Sequence, residues 1–148
     1  MRMDAKRFTI AEAARVTGLP ASTLRYYEQI GIIAPIDRES TGHRTYSQED
    51  VDLIGGIACL SATGMSIPQM REYLAHRLDG AEGAAQEIAL LESQQVALER
   101  EAHSLSLKQE YVRLKIAYWR AVEKGDDAEA ASIAQATLQT ASEIRAAQ

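Results

Sequence analysis

Residues 22–28 read Ser-Thr-Leu-Arg-Tyr-Tyr-Glu, and this stretch looks like the second helix of a helix-turn-helix. A short helical segment precedes it. That segment opens with a capping-box pattern, Thr9 with Glu12 three residues later, and ends at Gly18, a residue that tolerates a left-handed backbone. Two short helices joined by a turn that contains glycine predict a helix-turn-helix.

The second helix of such a unit enters the major groove of DNA. Its apolar residues recur at helical spacing and are expected to face the core, namely Leu24, Tyr27 and Ile30. The polar face would then present to DNA Ser22, Thr23, Arg25 and Tyr26. Arg25 can donate two parallel hydrogen bonds to guanine or to a phosphate. A surface ion pair between Arg25 and Glu28, worth only ~0.3 kcal/mol, is the structural alternative.

A two-stranded hairpin is predicted directly after the second helix. The apolar run 32–36 is followed by the polar stretch 37–41, and Gly42 precedes the return strand. A hairpin in this place is a wing. Arg44 is expected to contact a phosphate, which positions a protein without reading sequence. Tyr46 is expected to pack against the helix or to hold the wing on the DNA backbone. Two further residues complete the candidate DNA-binding set, His43 and Arg15.

Two more helices are predicted after the wing. Ser47 and Asp50 form a capping box for the third helix, and Ser66 begins the fourth. The sequence is therefore divided into a DNA-binding domain at 1–77, with a reading head at 8–46 and a second helical pair at 47–77.

Several motifs in this region agree in order and spacing with one known family. The run 24–28 together with Gly31, Pro35, Gly42, Arg44, Tyr46, Asp50 and Gly64-Met65-Ser66-Ile67 resembles the MerR family of bacterial transcription regulators over residues 8–77. The resemblance implies a mainly α fold, a winged helix-turn-helix DNA-binding domain followed by a long antiparallel coiled-coil dimerisation helix. It also implies a homodimer on a near-palindromic promoter operator, which bends and twists the DNA for RNA polymerase in response to a signal. His43 departs from the family, which often carries a tyrosine there.

A long helix without Pro or Gly is predicted at 84–124, after a linker at 78–83. Apolar residues spaced in heptads mark a pairing seam, to which we assign Leu91, Leu98, Leu105, Val112, Ile116 and Trp119. The pattern predicts a coiled coil of about five heptads, roughly 55 Å long. One helix of a monomeric bundle is the alternative, and the length favours a partner chain. The C-terminal helical tail, 125–148, would fold back on this helix or on the partner's reading head, or would fray.

The charge is unevenly distributed along the chain. The net charge is −5, yet residues 1–46 carry seven basic and five acidic residues, whereas residues 78–148 carry seven basic and twelve acidic ones. This asymmetry suits a basic reading face on an acidic stalk. The sequence has no membrane-spanning run and no signal-peptide pattern, so we expect a cytoplasmic protein. No catalytic motif is found, and neither enzyme activity nor a cofactor is predicted.

The candidate signal residue is Cys59, the only cysteine in the chain. Its surroundings resemble the branch of the family that senses aldehydes and other thiol-reactive electrophiles, in which one cysteine at this place reacts. The alternative is a small buried side chain. A metal is not predicted, because metal sites need several nitrogen or sulfur ligands at once. Two further possibilities are a small ligand held between the pairing helix and the reading head by Tyr111, Tyr118 or Trp119, and an architectural DNA-binding factor without any switch.

Overall fold

The computed structural model describes residues 5–148, and helices dominate it. Six α-helices follow one another, α1 Ile10–Thr17, α2 Ala21–Gln29, α3 Gln48–Ala62, α4 Ile67–His76, α5 Gly80–Lys124 and α6 Asp127–Ala146. The mainly α fold is therefore confirmed. The chain divides into two compact units, one through Gln94 and one from Gln95 to Gln148.

Side-chain caps fix the starts of three helices in the first unit. Thr9 accepts a hydrogen bond from the backbone N–H of Glu12, whose carboxylate accepts one from the N–H of Thr9 in return. The same reciprocal pattern begins α3 at Ser47 and α4 at Ser66. Each box satisfies backbone donors that a helix start would otherwise leave without partners. The helices of the first unit then enclose one apolar core, whose largest fully buried side chains are Tyr46, Leu24, Ile54, Ile57 and Met70.

The wing forms, but it is not the regular hairpin that the sequence predicts. Among the described residues only two isolated antiparallel bridges occur, Phe8 with Tyr46 and Arg38 with Arg44. The apolar run 32–36 supplies core residues instead of a strand, because the N–H groups of Ile32 and Ile33 donate to the carbonyl oxygen of Tyr27 at the end of α2. The wing is consequently a tight loop from 37 to 45.

Helix α5 begins at Gly80, four residues before the predicted start at Ala84. Part of the predicted linker 78–83 is thus helical. A Cβ atom at Gly83 would collide with the carbonyl oxygen of His76, so the glycine permits the close approach of α4 and α5. Further along α5, the side-chain amide of Gln94 donates to the carbonyl oxygen of Thr63 at the end of α3. The division into domains that the sequence suggests stays a prediction.

The second unit contains the end of α5 and all of α6. Asp126 caps α6 by accepting a hydrogen bond from the N–H of Glu129. Each helix buries a narrow face made mostly of small residues, namely Leu114 and Ala121 on α5 and Ala130, Thr137 and Thr140 on α6. The two threonine hydroxyls donate to carbonyl oxygens of their own helix, which satisfies them in a buried place.

Candidate nucleic-acid interface

Helix α2 separates its residues into an inner and an outer face as the sequence predicts. Leu24 and Tyr27 are buried, while Ser22 and Arg25 are exposed. The predicted groove residue Tyr26 is 49% exposed, and its ring packs at a tilt against that of Tyr27, with 6.2 Å between the centroids. Thr23 is half-buried. The helix therefore offers a polar outer face, and its contact with DNA stays a prediction.

A concave basic surface lies between α1, α2 and the wing. This surface, which we call the basic cleft, has a volume of about 420 Å³. Its lining includes four arginines and a histidine, namely Arg7, Arg25, Arg38, Arg44 and His43. Guanidinium groups gathered in this way suit the binding of phosphate. The cleft brings together three of the predicted DNA-binding residues. The predicted residue Arg15 lies outside it, exposed in the last turn of α1.

An ion pair joins the wing to helix α2. The Arg44 Nε atom donates to Glu28 Oε2 at 3.2 Å, and these side chains are only 21% and 15% exposed. The backbone N–H of Ile36 donates to the same carboxylate oxygen at 3.4 Å. Glu28 thus pairs with Arg44 on the wing, which replaces the ion pair with Arg25 that the sequence offered as an alternative.

A second tie holds the wing from the N-terminal side. The guanidinium of Arg7 donates to the carboxylate of Asp37 at 3.1 Å and to the Oγ1 atom of Thr45 at 3.2 Å. Within the wing, Arg38 Nη1 donates to the carbonyl oxygen of Gly42 at 2.8 Å. Sequence reasoning missed the structural roles of Arg7 and Glu28, since their partners lie far away along the chain.

The predicted contact between Tyr46 and DNA is wrong. Tyr46 has no exposed surface, and its backbone is bonded in both directions to that of Phe8. Among residues 5–148 its hydroxyl finds no hydrogen-bond partner. Burial raises the pKa of this hydroxyl above 10.0, and the nearby charge of Arg44 opposes that shift. Tyr46 is therefore a core residue under the wing.

His43 lies at the exposed tip of the wing. Its Nδ1 atom is 2.9 Å from the hydroxyl of Thr41, and its position on the wall of the basic cleft leaves the ring accessible. A phosphate contact from His43 stays a prediction.

Cys59 is exposed near the end of α3, so the alternative of a buried side chain is wrong. Within residues 5–148 no cluster of three or more metal-ligating side chains is found. None of the helices in the described part of the chain is both long enough and apolar enough to span a membrane.

The predicted pairing seam is exposed along α5. The exposed fractions are 40% for Leu91, 39% for Leu98, 56% for Leu105, 56% for Val112, 48% for Ile116 and 64% for Trp119. So many large apolar side chains in one stripe are typical of a surface that is covered by a partner.

Comparison with known proteins places this fold in one class. The family model described as "MerR HTH family regulatory protein" matches residues 8–77. A probable heavy metal-dependent transcriptional regulator of Haemophilus influenzae is 32% identical over 88 residues, covering 60% of this chain and 68% of that protein. The transcriptional regulator AdhR of Bacillus subtilis is 45% identical over 64 residues, which are 43% of this chain and 46% of AdhR. The chain thus spans about half the length of AdhR.

Two solved structures resemble the fold over most of its length. HiNmlR, described as a MerR family regulator lacking the sensor domain and bound to promoter DNA, superposes with a TM-score of 0.70 at 23% identity, covering 86% of this chain and 96% of that one. A putative MerR family regulator of Listeria monocytogenes superposes with a TM-score of 0.68 at 26% identity, covering 86% and 98%.

The fold and the basic cleft are therefore those of a helix-turn-helix DNA-binding transcription regulator. The chain belongs to the MerR family of transcription regulators. This membership agrees with the prediction that it is not an enzyme.

Proposed function

We propose that the chain works as a cytoplasmic homodimer on a near-palindromic promoter operator. Each α2 helix would enter a major groove, and each wing would hold the neighbouring backbone. A signal would then let the dimer bend and twist the operator for RNA polymerase. Deforming the DNA costs free energy, which contacts made only in the bent state offset. The observation that carries this proposal is the basic cleft between the outer face of α2 and a wing tied to that helix.

The exposed seam of α5 supports the homodimer. A heptad pattern of this kind buries its apolar residues against a second helix. The basic excess of the reading head is small, so two heads on one DNA would bind far better than one. A dimer also explains why the operator is expected to be a near-palindrome.

Leu105→Asp is expected to convert the dimer into a monomer, because it places a charge in the middle of the seam. Leu105 is 56% exposed in the single chain, so the variant keeps its own fold. Sedimentation at micromolar concentration measures the change, and affinity for the operator should fall with it. His103→Asp introduces the same single negative charge at an exposed position on the opposite face of α5 and should stay dimeric. A Leu105→Asp protein that remains a dimer would contradict the proposed seam.

Arg44→Ala is expected to weaken binding about equally on all DNA sequences, because a phosphate contact carries no base information. Each lost phosphate contact lowers the salt slope of log K by ~0.9. Titration of operator and random duplexes over a range of salt concentrations measures both effects. Arg120→Ala on α5 removes an exposed arginine far along the sequence and serves as the control. A loss confined to the operator would contradict a phosphate contact.

The signal proposed first is a thiol-reactive electrophile such as an aldehyde, acting at Cys59. The exposure of this side chain supports the proposal. The thiolate sulfur, after losing its proton, would form a bond to the carbonyl carbon of the aldehyde. The π bond of the carbonyl group would break, its electron pair would pass to the oxygen, and the oxygen would take up a proton to give a hemithioacetal. Only the thiolate is nucleophilic, so the reaction needs basic conditions or a cationic neighbour.

Cys59→Ser is expected to abolish the response to formaldehyde while operator binding stays intact. Transcription from the target promoter, driven by wild type and by the variant with and without formaldehyde, measures this. Serine has nearly the same size and lacks the thiol, so folding should not change. A variant that responds as fully as the wild type would rule out Cys59 as the sensor.

A small ligand is the second candidate signal. Two of the aromatic residues that the sequence singles out, Tyr118 and Trp119, line an open cavity of about 410 Å³ between α5 and α6 in the second unit. Tyr111 instead lies beside Val112 and Ile116 on the face of α5 that is assigned to the seam. Trp119 is the only tryptophan, so its fluorescence reports on this cavity. If no compound changes either fluorescence or transcription, an effector-independent architectural factor becomes the better account.

A further inference from the structure

We propose that Glu28 is a positioning residue for DNA binding, which holds the wing against α2 and directs the Arg44 guanidinium toward the basic cleft. This inference rests on the proposed binding of DNA by the wing. It assigns a binding role to an acidic side chain on the helix that approaches a polyanion.

One carboxylate connects three separate parts of the reading head. Glu28 lies in the last turn of α2, and its Oε2 atom accepts hydrogen bonds from the backbone N–H of Ile36, just before the wing, and from Arg44 Nε, near the end of the wing. The Oε1 atom is also 3.4 Å from Arg44 Nε. The two ends of the wing are therefore fixed to the same helix through a single side chain.

The environment makes this tie stronger than an ordinary surface ion pair. The Glu28 and Arg44 side chains are only 15% and 21% exposed, so water screens their charges less than those of exposed pairs. Tyr46, two residues after Arg44 in the sequence, is fully buried and belongs to the apolar core of the first unit. Removing either partner would leave the other charge unpaired in a half-buried place, which is costly.

The geometry also determines what Arg44 can offer to DNA. A guanidinium is planar and carries five N–H donors in a fixed arrangement. The Nε donor is used by Glu28, and Arg44 lines the basic cleft. The Nη donors are on the far edge of the same plane and are suited to a phosphate oxygen. Without Glu28, the Arg44 side chain would have to be ordered by the DNA itself, which weakens binding.

If Glu28 positions Arg44, removal of its negative charge should weaken DNA binding, whereas simple electrostatics predicts that binding becomes stronger. Removing a negative charge near DNA should strengthen binding if charge alone matters. We expect Glu28→Gln to weaken binding instead, by about three- to tenfold at moderate salt, and to lower the salt slope by about as much as Arg44→Ala does. Glu39→Gln is the matched control, because Glu39 is an exposed acid that lines the same cleft. That control should bind as tightly as wild type or more tightly.

The test is a double-mutant cycle in the full-length protein, with wild type, Glu28→Gln, Arg44→Ala and the double variant. The probe is mixed-sequence duplex DNA of about 30 base pairs, since a phosphate contact is made on any sequence. In the Arg44→Ala background, Glu28→Gln should change affinity by less than about twofold. Melting curves of all four proteins check folding. Glu28→Asp serves as a second variant in case Glu28→Gln does not fold. It keeps the negative charge but is too short to reach Arg44, so it should also weaken binding.

The outcomes separate this inference from the function on which it rests. If the wild-type protein binds no duplex DNA even at low salt, the proposed function and the inference both fail. If the wild type binds and Glu28→Gln binds as tightly as Glu39→Gln, the inference alone is overturned. An equal loss from Glu28→Gln with and without Arg44 also overturns it, because Glu28 would then act by another route than Arg44.

Discussion

Tyr46→Ala is expected to destabilise the first unit by about 3–5 kcal/mol, the usual cost of removing a large aromatic side chain from a core. The Tyr46 side chain is fully buried, and its backbone bridges Phe8 next to the start of α1. Since domains are stable by only about 5–15 kcal/mol, this loss is a large part of the total stability, and the midpoint of urea unfolding should fall clearly. Urea unfolding followed by circular dichroism measures the loss.

Tyr46→Phe is the matched control, because it keeps the ring and removes a hydroxyl that has no partner within residues 5–148. No hydrogen bond is lost, so stability should stay the same or increase. Burial raises the pKa of the Tyr46 hydroxyl above 10.0, which favours the neutral form in the folded state. The contribution of this hydroxyl to stability should therefore be fully present below pH 10 and be lost at higher pH, and the phenylalanine variant should lack that loss. A variant as unstable as Tyr46→Ala would show that the hydroxyl has an essential partner.

Arg25→Ala is expected to cost most of the sequence preference of the dimer. A two-pronged contact to guanine discriminates by about 1–3 kcal/mol, and two half-sites would together lose about 2–6 kcal/mol if they are independent. Binding to random DNA should fall much less, because only the charge of the arginine matters there. Competition between operator and random duplexes gives the ratio of the two affinities directly.

Gln29→Ala is the control for Arg25→Ala, since Gln29 is exposed on the same helix and carries no charge. It should leave the affinity ratio unchanged. An equal loss on operator and random DNA for Arg25→Ala would mean that Arg25 only contacts phosphate.

Local patterns predicted the helices well because their causes are local. The predicted boxes at Thr9 and Ser47 involve residues three apart, and each marks an observed helix start. Ser66 was predicted as a helix start, and the structure adds a box that it forms with Gln69. The start of α5 was placed too late because Gly80 and Gly83 suggested a break. The structure gives them a different purpose, since Gly80 takes a positive φ of 61° and Gly83 lets the helix pass close to α4.

The positions of site residues could be predicted from the sequence only within a single helix, and contacts between separate elements could not. Helical spacing correctly assigned Leu24 and Tyr27 to the core and Arg25 to the surface. The wing was less predictable, since a short loop does not show which of its side chains faces inward. The sequence therefore left Tyr46 open between packing against the helix and contacting DNA, and its full burial agrees with the first. The ion pair of Glu28 and Arg44 joins residues 16 apart, a separation at which sequence periodicity carries no signal.

We propose that this chain is a dimeric reader of an inverted repeat. Selection of binding sites from random duplex DNA with the purified protein tests this proposal. Such a dimer should enrich an inverted repeat whose half-sites are spaced by about one or more turns of the double helix. No enriched motif at moderate salt, or a single half-site without its inverted copy, would contradict the claim.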